Sequence, residues 1–306
     1  MSTETAVVGI DLGGTKCHGA LGDAAGNILA EVRIGTVSAG ASTALTGVWD
    51  LLRREAEDRG IRIGHATVGI PAVFNPVTGQ ATQGVNIGWE GFDVSGVVGA
   101  FDIPVHVDND ANLAGIAEAG LGHAVGVPNF ALLSLGTGFG GALFAGGSLV
   151  RGRRGAAAEF GDILVADPEH PSVMVRAEDR VSGLALRDSA RALAESDAEA
   201  HAELGRDPTA KTVITGALQG GRHAGRLVED ALDALATTVT GICATLDPDL
   251  IILDGGLGRA LAPFARPLTL RLAERGMNPP PVRVSTLQPN ATVVGALLHS
   301  VRALRT

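Results

Sequence analysis

Two aspartates and an asparagine stand together in the segment Asp108-Asn109-Asp110. The apolar run "IPVHV" before them predicts a strand at 103–107, and "ANLAGIAEAGLG" after them predicts a helix. A carboxylate at such a strand end can accept the proton of a reacting hydroxyl group. It can equally cap the first turn of the helix, a position that aspartate favours. The residues alone leave both interpretations of Asp110 open.

Two glycine-rich turns indicate a binding site for an anion. They lie in "DLGGTKCHGAL" at 11–21 and in "SLGTGFGGAL" at 134–143, each between two apolar runs of strand length. Neither turn opens a helix, so the first is not a Walker loop and the G-x-G-x-x-G pattern of the second is not a dinucleotide-binding motif. Successive backbone N–H groups in such turns bind anions, although a ligand-free hairpin also explains the first turn. The likeness of the two segments predicts two related halves.

The elements that must position these residues alternate along the chain. Strands are predicted at 5–12, 15–22, 28–37, 65–71, 103–107, 250–254 and 282–287, and helices at 42–59, 93–101, 180–204, 208–217, 222–246 and from about 291. This alternation is typical of an α/β fold with covered sheets. No Asp, Glu, Lys or Arg occurs between Glu118 and Arg151, but the glycines and Pro128 in that stretch predict strand, turn and strand rather than a membrane helix.

Composition limits the partners and the compartment. The 306 residues carry a formal net charge of -9 and are 45% hydrophobic, enough for one large domain or two ordinary ones. The negative charge argues against binding to nucleic acid or to an anionic membrane surface. Two cysteines, Cys17 and Cys243, leave no disulfide framework. Together with an N-terminus that lacks signal-peptide features, they predict a cytoplasmic protein.

Five motifs carry a resemblance to a known family. The segments "GIDLGGTK", "DNDAN", "LGTGFGG", "AEFG" and "IILDGGLG", in this order, resemble the ROK family of the sugar kinase, actin and Hsp70 superfamily over about residues 7 to 300. The resemblance implies two ribonuclease-H-like α/β domains around a central cleft: a small one of residues 1–109 with about 291–306, and a larger one of 110–290. It also implies an ATP-dependent kinase, a homodimer or homotetramer, that phosphorylates a hydroxyl of a sugar or sugar-like polyol.

The resemblance assigns a role to each candidate site residue. Asp110 would be the catalytic base, and Asp11 would hold Mg²⁺ through water. The nucleotide would be bound by the two glycine turns and a later glycine pair: Gly13, Gly14, Thr15, Lys16, Gly136, Thr137, Gly138, Gly255 and Gly256. The sugar would be bound by polar side chains spread along the chain: Asn86, Asn109, Glu159, Asp162 and Glu178.

Several of these residues also have plain structural interpretations. Asp11 can accept backbone hydrogen bonds at the end of a hairpin, and Gly255-Gly256 can simply join a strand to a helix. Asn86 can belong to a turn, and Glu178 can lie at a helix N-terminus, where negative charge is favourable.

The segment 159–178 departs from the family pattern. The family has a histidine where Asp162 stands and then a zinc-binding cysteine cluster, whereas no cysteine occurs here between Cys17 and Cys243. Zinc needs four good donors, so no zinc site is predicted, and His170 with Asp167 or Glu169 is interpreted as a solvated loop. Ionised Asp162 only accepts hydrogen bonds. Beside Glu159 and Glu178 it should raise at least one pKa unless the ligand supplies donors. This predicts that glucose is not the best acceptor, unless Asp162 turns away.

Other functions remain open at this point. The chain can be a kinase of a cyclitol or other pseudosugar, or a glucokinase that uses polyphosphate, although such relatives usually keep the histidine. It can be a non-catalytic sugar-binding ROK protein, against which Asp110 and both glycine turns argue. A sugar-responsive repressor would carry a helix-turn-helix segment before the kinase-like part, and the first turn begins too near the N-terminus for one.

Overall fold

A computed structural model describes residues 4–75, 77–78, 80–82, 93–287 and 290–305. Its strands are β1 (Thr5–Leu12), β2 (Lys16–Gly22), β3 (Ile28–Gly35), β4 (Arg62–Ile70), β5 (Val73–Asn75), β6 (Gln80–Thr82), β7 (Val105–Asn109), β8 (Phe130–Leu135), β9 (Phe139–Ala145), β10 (Ser148–Leu149), β11 (Leu164–Ala166), β12 (Met174–Arg176), β13 (Leu250–Asp254) and β14 (Val282–Val284). Its α-helices are α1 (Thr36–Ala39), α2 (Ala41–Asp58), α3 (Val94–Gly99), α4 (Asp110–Leu121), α5 (Gly183–Ser196), α6 (Ala198–Leu204), α7 (Ala210–Leu218), α8 (Arg222–Leu246), α9 (Gly255–Ala260), α10 (Ala265–Glu274) and α11 (Ala291–Ala303).

The chain forms two compact units. Unit 1 comprises Met1–Val125, Leu149–Ala157 and Pro289–Thr306, and unit 2 comprises Gly126–Ser148 and Ala158–Gln288. Helix α4 lies in unit 1, whereas the sequence led us to expect a boundary after residue 109. The reason is packing: a Cβ on Gly295 of α11 would overlap the backbone of Leu113 of α4, so these two helices are in direct contact.

Unit 1 is built on a five-stranded sheet in the order β3-β2-β1-β4-β7. Strand β1 pairs antiparallel with β2 and parallel with β4, which pairs parallel with β7. Alternate residues of β1 face opposite sides, as period-two strand geometry requires. Val8 and Ile10 pack in the core cluster that includes α2, while Val7 packs with Val293 and Leu297 of α11.

Unit 2 is built on a second five-stranded sheet in the order β10-β9-β8-β13-β14. Strand β8 pairs antiparallel with β9 and parallel with β13, which pairs parallel with β14. Leu133 and Leu253 of adjacent strands share one core cluster with Leu232 and Leu235 of α8. A small antiparallel ribbon of β11 and β12 lies outside this sheet.

The two sheets have the same plan. In each, the central strand (β1 or β8) pairs on one side with an antiparallel hairpin partner (β2 or β9). On its other side follow two strands that are parallel to it, β4 and β7 in unit 1 and β13 and β14 in unit 2. The hairpin β1–β2 holds the first glycine turn and β8–β9 holds the second, so the predicted internal repeat and the α/β fold class are confirmed. Among the described residues, no helix has the length and apolar character that crossing a bilayer would need.

Several predicted elements are shorter than expected, including the strand predicted at 282–287, which ends at Val284, and the helix predicted at 93–101, which spans Val94–Gly99. The helix predicted at 180–204 is two helices, α5 and α6, because Asp197 adopts an extended backbone between them. Its side chain caps α6 by accepting the N–H groups of Glu199 at 2.8 Å and Ala200 at 3.1 Å. The strand predicted at 28–37 ends at Gly35, because α1 begins at Thr36.

Candidate active site

The first glycine turn, residues 12–16, joins β1 to β2 in unit 1. The Gly13 N–H donates to the Lys16 carbonyl at 3.0 Å, which closes the turn, and the Thr36 N–H donates to the Thr15 carbonyl at 3.0 Å. Thr15 and Lys16 are exposed, while Gly13 and Gly14 are half-buried. The turn therefore presents a hydroxyl and an ammonium group to the solvent on a backbone fixed at both ends.

The second glycine turn, residues 136–138, joins β8 to β9 in unit 2. The Gly136 carbonyl accepts the Gly183 N–H at 2.8 Å, and the Thr137 carbonyl accepts the Leu184 N–H at 3.3 Å. Both donors belong to the first turn of α5, which Ser182 caps. Because N–H groups of α5 bond these two carbonyls, α5 fixes the backbone of the turn, and the Thr137 side chain is exposed at its tip.

The glycine pair at the start of α9 divides into two roles. Gly255 has φ +82°, and a Cβ there would overlap the backbone of Leu135, so glycine is required by the fold itself. Gly256 is exposed, and a Cβ there would meet no atom within 4 Å. The strand–helix turn explains Gly255 fully, and only Gly256 has open space beside it for a ligand.

Helix α4 begins at the motif aspartate of unit 1. Asn109, not Asp110, is the N-cap: its side-chain oxygen accepts the N–H groups of Ala111 at 2.8 Å and Asn112 at 3.3 Å. Its amide nitrogen donates to the Ala72 carbonyl at 3.3 Å. Asp110 is the first helical residue, half-buried, with Oδ1 2.8 Å from the Ala111 nitrogen. The capping role that sequence reasoning weighed for Asp110 thus belongs mainly to its neighbour.

Three carboxylates predicted to bind the sugar lie near one another in unit 2. Burial raises the pKa of Glu159 to about 7, and the charges of Asp162 and Glu178 raise it further in the same direction. The raised pKa that three clustered carboxylates predict is therefore found at Glu159. Perturbed acids of this kind concentrate at functional sites.

Arg176, at the end of β12, is the residue that sequence reasoning missed here. Its guanidinium pairs with Glu178, and lies 3.4 Å from Asp162 and 3.6 Å from Asp179. Asp162 is 52% exposed, whereas Glu178 is only 13% exposed. A cation two residues before Glu178 in "MVRAED" was the available signal, but the sequence does not show that the chain returns it to Asp162.

Glu178 also supports the second glycine turn. Its Oε2 accepts the Phe139 N–H at 2.7 Å, and a Cβ on Gly138 would lie 2.6 Å from the same oxygen. One carboxylate thus contacts both the predicted nucleotide turn and the cation that neutralises Asp162. The helix-start interpretation of Glu178 is too narrow, since the residue lies in a short 3-10 helix and bonds a neighbouring hairpin.

Asp11 has the chemistry of a magnesium ligand. It lies near the end of β1, half-buried, and burial raises its pKa to about 6 while Lys16 acts in the opposite direction. A hard carboxylate oxygen in a poorly solvated position fits a divalent cation, which would favour its ionised form.

The segment that replaces the family's cysteine cluster is the β11–β12 ribbon. Asp167 closes its connection by accepting the N–H groups of Glu169 at 2.8 Å and His170 at 3.0 Å. The His170 side chain is 73% exposed. No group of three or more metal-binding side chains is found in the parts of the chain that the structure describes. Asn86 lies outside the described residues.

The comparisons with known proteins show the family. The family model described as "ROK family" matches residues 7–300. The chain belongs to the ROK family. It is 28% identical over 308 residues to a glucokinase of Halalkalibacterium halodurans, covering 94% of this chain and 92% of that protein. It is 32% identical over 260 residues to the bifunctional enzyme NanE/NanK of Brucella melitensis, covering 83% of this chain. The match spans only 46% of the length of that longer enzyme.

Solved structures extend the likeness to the whole fold. A ROK hexokinase from Thermus thermophilus matches with a TM-score of 0.79 and 26% identity, covering 98% of this chain and 99% of that one. A ROK glucokinase from Streptomyces griseus, solved with glucose and AMPPNP, matches with a TM-score of 0.77 and 25% identity, covering 97% and 99%. The fold is that of the ROK sugar kinases, with the superfamily's two α/β halves.

Proposed function

We propose that this protein is an ATP-dependent sugar kinase that transfers the γ-phosphate of ATP to a hydroxyl group of a hexose or a hexose-like polyol. The observation that carries the proposal is that the same glycine-rich hairpin turn occurs in both sheets. Each sheet presents a glycine turn with an exposed threonine between its central antiparallel strands. Backbone turns of this kind bind anions without a net positive charge, which suits a protein whose formal charge is -9.

The roles follow from the chemistry of phosphoryl transfer. The reaction needs an oriented hydroxyl, a proton acceptor and neutralisation of phosphate charge, with little covalent chemistry from the protein. Asp110 is proposed to accept the hydroxyl proton. Lys16 contributes positive charge at the first turn, and Gly256 leaves room for the nucleotide beside α9. Asp11 is proposed to hold Mg²⁺, which neutralises phosphate charge when bound.

The acceptor is proposed to be held by hydrogen bonds to Glu159, Glu178, Asn109 and Asn86. The argument against glucose weakens, because the Arg176 guanidinium already balances the charge of two of the three carboxylates. The relatives named above include glucokinases, and others are named as β-glucoside kinases. We therefore propose a hexose such as glucose as the first acceptor to test. The buried free thiols of Cys17 and Cys243 suit a reducing cytoplasm.

The test is an ADP-release screen with ATP and Mg²⁺ over glucose, mannose, N-acetylmannosamine, a β-glucoside and a cyclitol. A parallel series replaces ATP with polyphosphate and detects the phosphorylated acceptor by ³¹P NMR. The Asp110→Asn variant is the matched control, because it removes the proton acceptor with little change in size. Release that depends on acceptor and falls in this variant supports the proposal. The absence of acceptor-dependent transfer from either donor would overturn it.

A further inference from the structure

A buried ion pair lies directly before the proposed catalytic base in unit 1. Asp108, near the end of β7, has a side chain only 6% exposed. Nε of Arg151 donates to its Oδ2 at 3.0 Å, and Nη2 of Arg151 donates to the same oxygen at 2.6 Å. Although burial raises it, the pKa of Asp108 is held at about 2 by His106, Arg151 and Asn112. The carboxylate is therefore a fixed negative charge.

The other oxygen of Asp108 holds the turn that carries Asp110. Its Oδ1 accepts the Asn109 N–H at 2.9 Å and the Asn112 side-chain amide at 2.8 Å. These two donors lie on either side of Asp110 in the sequence. One carboxylate thus bonds the residues on both sides of Asp110 in the 108–112 turn.

Two stacked histidines, His106 and His299, lie beside the ion pair of Asp108 and Arg151. Nε2 of His106 lies 3.5 Å from Oδ2 of Asp108, and the His106 ring stacks on His299 with centroids 4.1 Å apart. Burial, followed by the charge of His106, lowers the pKa of His299 to about 4. His299 and Ser300 of α11 both bond the Thr67 hydroxyl, at 3.1 Å and 2.7 Å. His299 is therefore neutral near pH 7, and Arg151 supplies the permanent positive charge.

Arg151 reaches Asp108 from a segment that is separate in sequence. Residues 149–157 belong to unit 1, while the residues on both sides of them belong to unit 2. Within the segment, the Ala157 N–H donates to the Arg151 carbonyl at 3.2 Å. The segment thus places the Arg151 guanidinium against the buried carboxylate of Asp108.

We propose that Arg151 is a positioning residue for phosphoryl transfer: it holds Asp108, and through Asp108 it fixes the turn that places Asp110. The inference rests on the proposed role of Asp110. Proton transfer and in-line attack tolerate little displacement, and a shift of about 1 Å in a catalytic group can cost about 10²-fold in rate. An arginine that grips through two nitrogens is not replaceable by a single ammonium group.

The experiment compares Arg151→Ala with Arg151→Lys and with Arg153→Ala, an exposed neighbour in the same segment. We expect Arg151→Ala to lower kcat by about 10- to 100-fold while the KM for ATP changes less than about threefold. Arg151→Lys should recover part of the loss, and Arg153→Ala should keep wild-type kcat. A purely structural role would instead reduce the fraction of folded enzyme and leave the kcat of the folded fraction unchanged. A kcat of Arg151→Ala within about threefold of wild type overturns the proposal.

A second variant and a second readout cover poor folding and loss of the proposed function. Asp108→Asn removes the buried charge, so it avoids the cost of an unpaired buried ion that Arg151→Ala carries, and it should also lower kcat. Hydrogen exchange of the 109–112 amides reports on the turn without any substrate. It should be faster in Arg151→Lys and Asp108→Asn than in Arg153→Ala. Equal exchange in all three variants overturns the inference even if the wild type phosphorylates no acceptor. If exchange is faster in Arg151→Lys and Asp108→Asn but the wild-type protein phosphorylates no acceptor, the role of Asp108 in fixing the turn is supported and the kinase assignment is rejected.

Discussion

Replacing Glu159 with glutamine should stabilise the protein at alkaline pH and change its stability little at acid pH. Glu159 is half-buried, and its pKa is about 7 in the folded protein against 4.5 ordinarily. Burial is the main cause, and Asp162 and Glu178 add to it. Glutamine keeps the shape of the side chain and cannot ionise, so it removes only the cost of the charge.

The sign and the size follow from proton linkage. Because the folded-state pKa of Glu159 lies above its unfolded value, proton binding by Glu159 stabilises the folded protein. This stabilisation is complete below about pH 4.5 and is lost as the pH rises through about 7. Each pH unit between the two pKa values is worth about 1.4 kcal/mol, so the whole interval is worth at most about 3.5 kcal/mol. Because the side chain is partly solvated, we expect the stabilisation of Glu159→Gln over wild type to be about 1–3 kcal/mol larger at pH 8.5 than at pH 4.5.

The assay is urea unfolding of both proteins at the two pH values, and only the change in their difference matters. Glu274→Gln, at an exposed position of α10, is the matched control, since an exposed charge is solvated in folded and unfolded chains. A difference between Glu159→Gln and wild type that is the same at both pH values, within the error of the control, refutes the reasoning. It would mean that Glu159 is solvated or paired well enough to ionise normally.

Three further predictions concern activity. Asp110→Asn should lower kcat by about 10²–10⁴-fold and leave the Kd for ATP nearly unchanged by calorimetry, and a variant with a tenth or more of wild-type kcat contradicts the base assignment. Activity should require Mg²⁺ and the purified protein should hold no zinc. Elemental analysis of chelator-free protein checks this, and near-stoichiometric zinc would show that the 162–178 segment is misinterpreted. Arg176→Ala should lower the acceptor kcat/KM about tenfold, because two carboxylates lose a charged partner, whereas Arg187→Ala on α5 should leave it unchanged.

Local patterns predicted most of the fold. The apolar runs at 5–12 and 250–254 are strands β1 and β13 with the expected bounds, and the helix predicted at 222–246 is α8. These elements were predictable because a buried strand and an amphipathic helix each leave a periodic trace in their own residues. The break between α5 and α6 was missed because Asp197 resembles any polar residue of a helix surface until its cap is seen.

The site was predictable only where one motif holds all its parts. The sequence singled out Asp110 and the two glycine turns as candidates, but it could not show that Asn109 takes the capping role. It also missed Arg151, whose partner Asp108 lies 43 residues away, and it could not show that Arg176 pairs with Asp162 as well as with its neighbour Glu178. Side chains that act across such separations leave no spacing to read, so their roles appear only when the chain is folded.

Arg176 also changes what the departure from the family pattern means for the acceptor. From the sequence, Asp162 introduced a third negative charge, and a ligand rich in donors was the natural way to balance it. In the folded chain Asp162 is half exposed and faces a guanidinium that is shared with Glu178. The uncompensated acid is therefore Glu159, whose pKa of about 7 leaves it partly protonated near neutral pH. A protonated carboxyl donates one hydrogen bond and an ionised one only accepts. Since sugar hydroxyls do both, a neutral sugar can satisfy Glu159 in either state, and the argument that three carboxylates disfavour glucose loses its basis.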